Sequence, residues 1–174
     1  MGQIIERAAL PGLAAAARAS GRRIVLTNGH FDLLHVGHLR YLRAARALGD
    51  LLVVGMNDDV CTRRLKGPRR PIVPEDERAE LLAALDPVDW VVLFGADTAV
   101  ELVEALRPDV YVKGGDYTIG SDPAARGKPL PEAAVVQRYG GEVVLIPLVP
   151  DRSSSDVVAR VVARYCAGEG LIRD

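Results

Sequence analysis

The sequence predicts an α/β protein built on a doubly wound parallel sheet of five strands. Three observations carry that expectation. Short β-branched runs recur along the chain, and each is apolar at consecutive positions, without the alternation of a half-exposed strand. Such runs suit strands covered on both faces. The segments between them carry helical spacing and end at recognisable stop signals.

Taken in order, a helix near residues 4–19 precedes the first strand, Ile24–Leu26. In the next helix Leu39, Leu42, Ala45 and Leu48 share one face, Arg40, Arg43 and Arg46 occupy another, and Gly49 stops it. The second strand is Leu51–Met56, followed by a connection over Asp58–Val73 long enough to be functional. Pro74-Glu75-Asp76-Glu77 opens a helix with proline in its first turn and carboxylates near its positive end, and Leu81, Leu82 and Leu85 form the stripe it buries. Val88–Phe94 is the third strand, and the helix Asp97–Leu106 ends at Arg107-Pro108. Val110–Val112 is the fourth strand, followed by a second long connection, Gly114–Leu130. A helix over Pro131–Tyr139 stops at Gly140-Gly141, Val143–Ile146 is the fifth strand, and Ser154–Cys166 is the last helix, stopped by Gly168. Right-handed crossovers make this a Rossmann-like arrangement with ligands at the carboxyl ends of the strands, around the first one.

The 174 residues suit one domain, 1–174, with no repeat and no linker. Hydrophobic residues at 49% and charged residues at 26% exclude a disordered or fibrous chain. A net charge near −1 gives no reason to expect nucleic acid or a membrane as partner. Cys61 and Cys166 form neither a disulfide framework nor a metal-ligand spacing, which points to a reducing compartment. No apolar run approaches the roughly 18 residues of a spanning helix, and the charged N-terminal stretch with Glu6 and Arg7 matches a signal peptide poorly. The expected location is cytoplasmic.

Four constellations carry chemistry. All three histidines fall between His30 and His38, in Thr27-Asn28-Gly29-His30-Phe31-Asp32-Leu33-Leu34-His35-Val36-Gly37-His38 directly after the first strand. Asn28-Gly29 permits a tight turn, and Gly37 between two imidazoles lets a phosphate approach backbone N–H groups at a helix start. Two other readings stand beside it: histidines satisfied in the core or in solvent, and a metal site using His30, His35 and His38 with a carboxylate. The second constellation is the cationic run Arg63-Arg64-Leu65-Lys66-Gly67-Pro68-Arg69-Arg70, expected as a flexible loop able to close over phosphates. In the third, Val112-Lys113-Gly114-Gly115-Asp116-Tyr117, a strand ends in glycines beside a cation and a carboxylate. The fourth, Asp151-Arg152-Ser153-Ser154-Ser155-Asp156, offers hydroxyl and N–H donors at a helix start, for capping or for phosphate.

The segment His35-Val36-Gly37-His38 resembles the HxGH signature of the cytidylyltransferase-like nucleotidyltransferases, which implies the nucleotidyltransferase α/β phosphodiesterase type of fold. Thr27-Asn28-Gly29, Arg64-Leu65-Lys66-Gly67, Val88-Asp89-Trp90-Val91-Val92, Lys113-Gly114-Gly115-Asp116-Tyr117 and Tyr139-Gly140-Gly141-Glu142-Val143, in this order, are most similar to the D-glycero-β-D-manno-heptose 1-phosphate adenylyltransferases. Two departures are visible. His30 stands where that family commonly has cysteine, and Ser153-Ser154-Ser155 replaces a Ser-Thr-Thr pattern.

The resemblance implies transfer of the nucleoside monophosphate of ATP to a sugar 1-phosphate with release of pyrophosphate. CTP with a polyol or amino-alcohol phosphate is the alternative, and a metal-dependent hydrolase or a non-catalytic nucleotide-binding module would be departures in kind. It implies catalytic roles for His35, His38 and Lys66. Nucleotide contacts are expected at Thr27, Asn28, Gly29, Phe31, Asp32 and Gly37, at Lys113, Gly114 and Asp116, and at Arg152, Ser153, Ser154 and Ser155. Acceptor contacts are expected at Asp58, Arg64 and Arg78. Mg²⁺ is expected to be held mainly by the nucleotide, with Asp32 the nearest outer contact and no protein-built metal site. A homodimer is implied, with the surface near Trp90 as a candidate contact.

Overall fold

A computed structural model of the chain describes residues 1–115, 117–119, 127–147 and 153–165. The elements in chain order are β1 (Gln3–Ile4), α1 (Leu10–Ala19), β2 (Ile24–Gly29), α2 (Val36–Arg46), β3 (Leu51–Asn57), α3 (Asp59–Lys66), α4 (Glu75–Ala83), β4 (Trp90–Phe94), α5 (Val100–Leu106), β5 (Val110–Gly114), β6 (Tyr117–Thr118), β7 (Lys128–Pro129), α6 (Pro131–Arg138), β8 (Glu142–Ile146) and α7 (Ser154–Tyr165). Six strands form one parallel sheet in the order β1-β4-β3-β2-β5-β8, and β6 pairs with β7 separately.

The contiguous apolar runs become strands because both faces of the sheet are covered. Ile24, Leu26, Leu51, Val53 and Tyr111 pack against Leu10 and Ala14 of α1, Leu102 and Leu106 of α5, and Val136 of α6. Their neighbours Val25, Leu52, Val54, Val110 and Val112 pack on the other side against Leu42 and Ala45 of α2 and Ala79 and Leu82 of α4. Acidic side chains fix where strands begin: Asp109 accepts from the Ile24 amide at 2.7 Å and Asp89 from that of Leu52 at 2.8 Å.

The five expected strands are present, and β1 joins them at the edge, registered Gln3 with Trp90 and Ile4 with Val91. The first helix starts later than expected, at Leu10, because Pro11 occupies its first turn and the chain before it is drawn into the sheet. Trp90 lies in β4 between β1 and β3, half-buried against the core. The connection after β3 is partly helical, forming α3. Asp58 caps it by accepting from the Cys61 amide at 2.7 Å, Arg63, Arg64 and Lys66 stand in its last turn, and Gly67 ends it at φ +96. The cationic run is therefore largely a helix end. Among the described residues no helix is long and apolar enough to cross a membrane.

From β2 the chain steps outward through β3 and β4, then returns past β2 to β5 and β8. The reversal lies between β2 and β5, where an open α/β sheet leaves a crevice at its carboxyl edge.

Candidate active site

The turn after β2 is built from fixed hydrogen bonds. Thr27 is buried, and its hydroxyl lies 2.7 Å from that of Tyr41, which itself donates to the Val112 carbonyl at 3.1 Å, so α2 is tied to both central strands. Asn28 Oδ1 accepts from the Tyr111 hydroxyl at 2.6 Å and from Lys113 Nζ at 3.0 Å. Lys113, only 7% exposed, also donates to the Asn28 carbonyl and sits 4.7 Å from the centre of the Tyr117 ring. Its charge thus braces the turn at the crevice. Phe31 adopts φ +49, a left-handed conformation uncommon for a bulky residue, and puts its ring 5.3 Å from that of His38.

His35 caps α2: its Nδ1 accepts from the Gly37 amide at 3.1 Å. A nitrogen that accepts carries no proton, so the neutral ring bears its hydrogen on Nε2. His38 stacks on His35 with centroids 4.0 Å apart, and its buried Nδ1 has no hydrogen-bond partner among the described residues. Burial, with a smaller contribution from His35, pushes the His38 pKa down to about 4. Two stacked imidazoles at the start of a helix, one with a buried nitrogen unpaired among the described residues, form a site suited to an anionic ligand.

A cavity of about 360 Å³ opens beside them, lined by His30, Phe31, Asp32, His38, Thr62, Lys66, Arg70, Ser154 and Ser155. It joins α3 and the start of α7 to the turn after β2. Of the three serines, Ser153 caps α7 through reciprocal bonds with Asp156, Ser154 donates to the Leu33 carbonyl at 3.3 Å, and Ser155 lines the cavity. A larger cavity, about 620 Å³, lies at the opposite edge of the sheet, by Arg18, Arg23 and Arg107. Its arginines are spent on fold contacts: Arg18 on the Leu106 and Arg107 carbonyls, Arg23 on Glu142, and Arg107 on the Tyr139 ring.

Several expected contacts lie under the site or outside it. Asp32 is 7% exposed, and its carboxylate accepts from Arg70 at 2.6 Å and from the amides of Ile72 and Val73 at 2.6 and 3.1 Å. Burial pushes the Asp32 carboxyl up, but these bonds outweigh it and hold the pKa below its ordinary value. Arg78, at 1% exposed, donates to the carbonyls of Val73, His30 and Asn57 and pairs with Asp59, so its charge is spent on holding the turn after β2 against α3. Asp58 is the cap of α3. Arg64 turns outward to Asp97 and the Gly95 carbonyl. Gly29 and Gly114 end β2 and β5, and Gly37 lies buried in the first turn of α2. Asp116 and Arg152 lie outside the described residues. Thr62, Arg70 and Tyr111 join the site without having been singled out as site residues. Thr62 would have been legible from its position four before Lys66, had that segment been read as a helix.

No group of three or more His, Cys, Asp or Glu side chains among the described residues is arranged to hold a metal ion.

A family model described as cytidylyltransferase-like matches residues 26–160. Similar proteins include "Bifunctional protein HldE" of Trichlorobacter lovleyi, 52% identical over 94% of this chain and 32% of its own length, and the protein of the same name from Syntrophotalea carbinolica, 51% identical over 93% and 31%. The chain spans about a third of the length of these relatives. Among solved structures, the lipopolysaccharide core biosynthesis protein of Thermoplasma volcanium matches with a TM-score of 0.57 and 29% identity, over 74% of this chain and 98% of that one.

Proposed function

The chain belongs to the cytidylyltransferase-like family of nucleotidyltransferases, and from that premise we propose that it is a sugar-phosphate adenylyltransferase. The reaction joins the adenosine monophosphate of ATP to D-glycero-β-D-manno-heptose 1-phosphate, giving ADP-heptose and pyrophosphate. The observation that carries this reading is the stacked His35–His38 pair at the crevice, with His38 Nδ1 buried and unpaired among the described residues. The relatives named HldE support it, and they do not favour the CTP-dependent alternative.

In this mechanism an oxygen of the acceptor phosphate attacks the α-phosphorus in line, and the bond to the bridging oxygen breaks as pyrophosphate leaves with the electron pair. The acceptor is already an anion, so no general base is needed. The protein's part is positioning and charge stabilisation. His35 offers Nε2–H to a phosphate oxygen. His38, uncharged in the free site, gains a reason to hold a proton once a polyanion lies beside it. Lys66, on the cavity wall, faces the developing charge, while Lys113 fixes Asn28 and lends charge from below. Mg²⁺ supplies further neutralisation when bound; the Asp32 oxygens are engaged by Arg70 and two amides, which fits an ion held by the nucleotide's phosphates and water. A homodimer in the cytoplasm, where ATP and sugar phosphates are available, belongs to the same proposal.

The test is pyrophosphate release with ATP or CTP against heptose 1-phosphate, mannose 1-phosphate and glycerol 3-phosphate. The proposal expects turnover with ATP and heptose 1-phosphate; turnover with CTP and glycerol 3-phosphate in its place would overturn it.

A further inference from the structure

We propose that His30 is a specificity-determining residue for the phosphorylated acceptor, reading a hydroxyl group on a sugar or polyol phosphate. The assignment rests on the nucleotidyltransferase reading above and adds the acceptor's side of the site.

The stacked histidines at the start of α2, with Asn28 and Lys113 beside them, stand on the β2–β5 side of the crevice, where a nucleotide is bound in a doubly wound sheet. His30 turns the other way, toward α3: its Nδ1 lies 3.1 Å from Thr62 Oγ1, and its carbonyl accepts from the buried Arg78. In-line displacement needs the acceptor and the leaving pyrophosphate on opposite sides of the α-phosphorus. The α3 flank is the side left for the acceptor.

Lys66 and Arg70 line the same cavity as His30 and suit the acceptor's phosphate. The His30 ring is uncharged at neutral pH: burial, with Lys66, Arg78 and Lys113 nearby, pushes its pKa down to about 4 against a small opposing effect of Asp32. A neutral imidazole does not compete with lysine and arginine for a phosphate. With Nδ1 held by Thr62, its Nε2, which bonds to no protein group among the described residues, is left for a partner that both donates and accepts, as a hydroxyl does.

Steady-state kinetics on the wild type, H30A, H30Q and T62V test this. H30A is expected to raise the KM for heptose 1-phosphate by about tenfold, the factor that one lost hydrogen bond can carry, with the KM for ATP within about twofold. H30Q, whose amide reaches the position of Nε2, is expected to recover most of the loss, and T62V to give a smaller rise of the same kind. Unchanged acceptor KM in H30A, or equal changes for both substrates, would overturn the role of His30 while leaving the adenylyltransferase reading in place. If the wild type releases no pyrophosphate with any acceptor of the panel above, that reading falls and the assignment of His30 falls with it.

Discussion

His35 and His38 form a pair whose members differ in what their ring nitrogens do. His35 uses Nδ1 as a helix cap, which fixes its tautomer, while His38 keeps a buried Nδ1 unpaired among the described residues. An unpaired buried nitrogen costs about 1–3 kcal/mol. A triphosphate beside His38 favours its charged form, so ATP binding is expected to take up protons near neutral pH. Titration calorimetry in buffers of different ionisation enthalpy checks this: the wild type should show net uptake that shrinks in H38N, and equal uptake in both would contradict it. The spacing of the two histidines was legible in the sequence because one glycine and one apolar residue separate them at a strand-to-helix junction. The roles of Asp32 and Arg78 were not, since a charged residue's type does not say whether backbone amides and carbonyls consume it.

At the scale of elements, α3 decides how Lys66 is presented. Lys66 is its last residue and Thr62 faces the cavity one turn earlier, so the N-cap at Asp58 governs both. D58A is expected to cost about 1 kcal/mol of stability and to raise KM for the acceptor, as read by thermal melts and pyrophosphate release; unchanged values in both would show that α3 holds its place without the cap. This helix was hidden in the sequence. Its buried face is only Cys61 and Thr62, Val60 and Leu65 point outward, and the basic residues read as a loop. The strands were legible for the opposite reason, since burial on both faces leaves an unbroken apolar run in the sequence. β1 escaped notice because two residues, one of them an exposed glutamine, carry no periodicity.

Over the whole molecule, the doubly wound order puts the histidines, Lys113 and α3 at one edge of the sheet, and the fold bears the cost of burying titratable rings there. Free histidines titrate near 6.5, whereas His30 and His38 in the folded protein stay neutral down to about 4. Between those values the unfolded chain binds more protons, so stability falls as pH drops from about 6.5 toward about 4 and then levels off for these groups. Thermal melts at pH 7 and pH 5 should show a loss in the wild type that is smaller in an H30N/H38N double variant. Parallel losses would place the acid sensitivity elsewhere.

The central claim is that the His35–His38 pair stabilises transfer at the α-phosphorus. The most direct test is the turnover of H38A with ATP and heptose 1-phosphate, alongside a thermal melt that verifies an intact fold. A fall in kcat of ~10² or more is expected; near-normal turnover in a folded H38A protein would contradict the account.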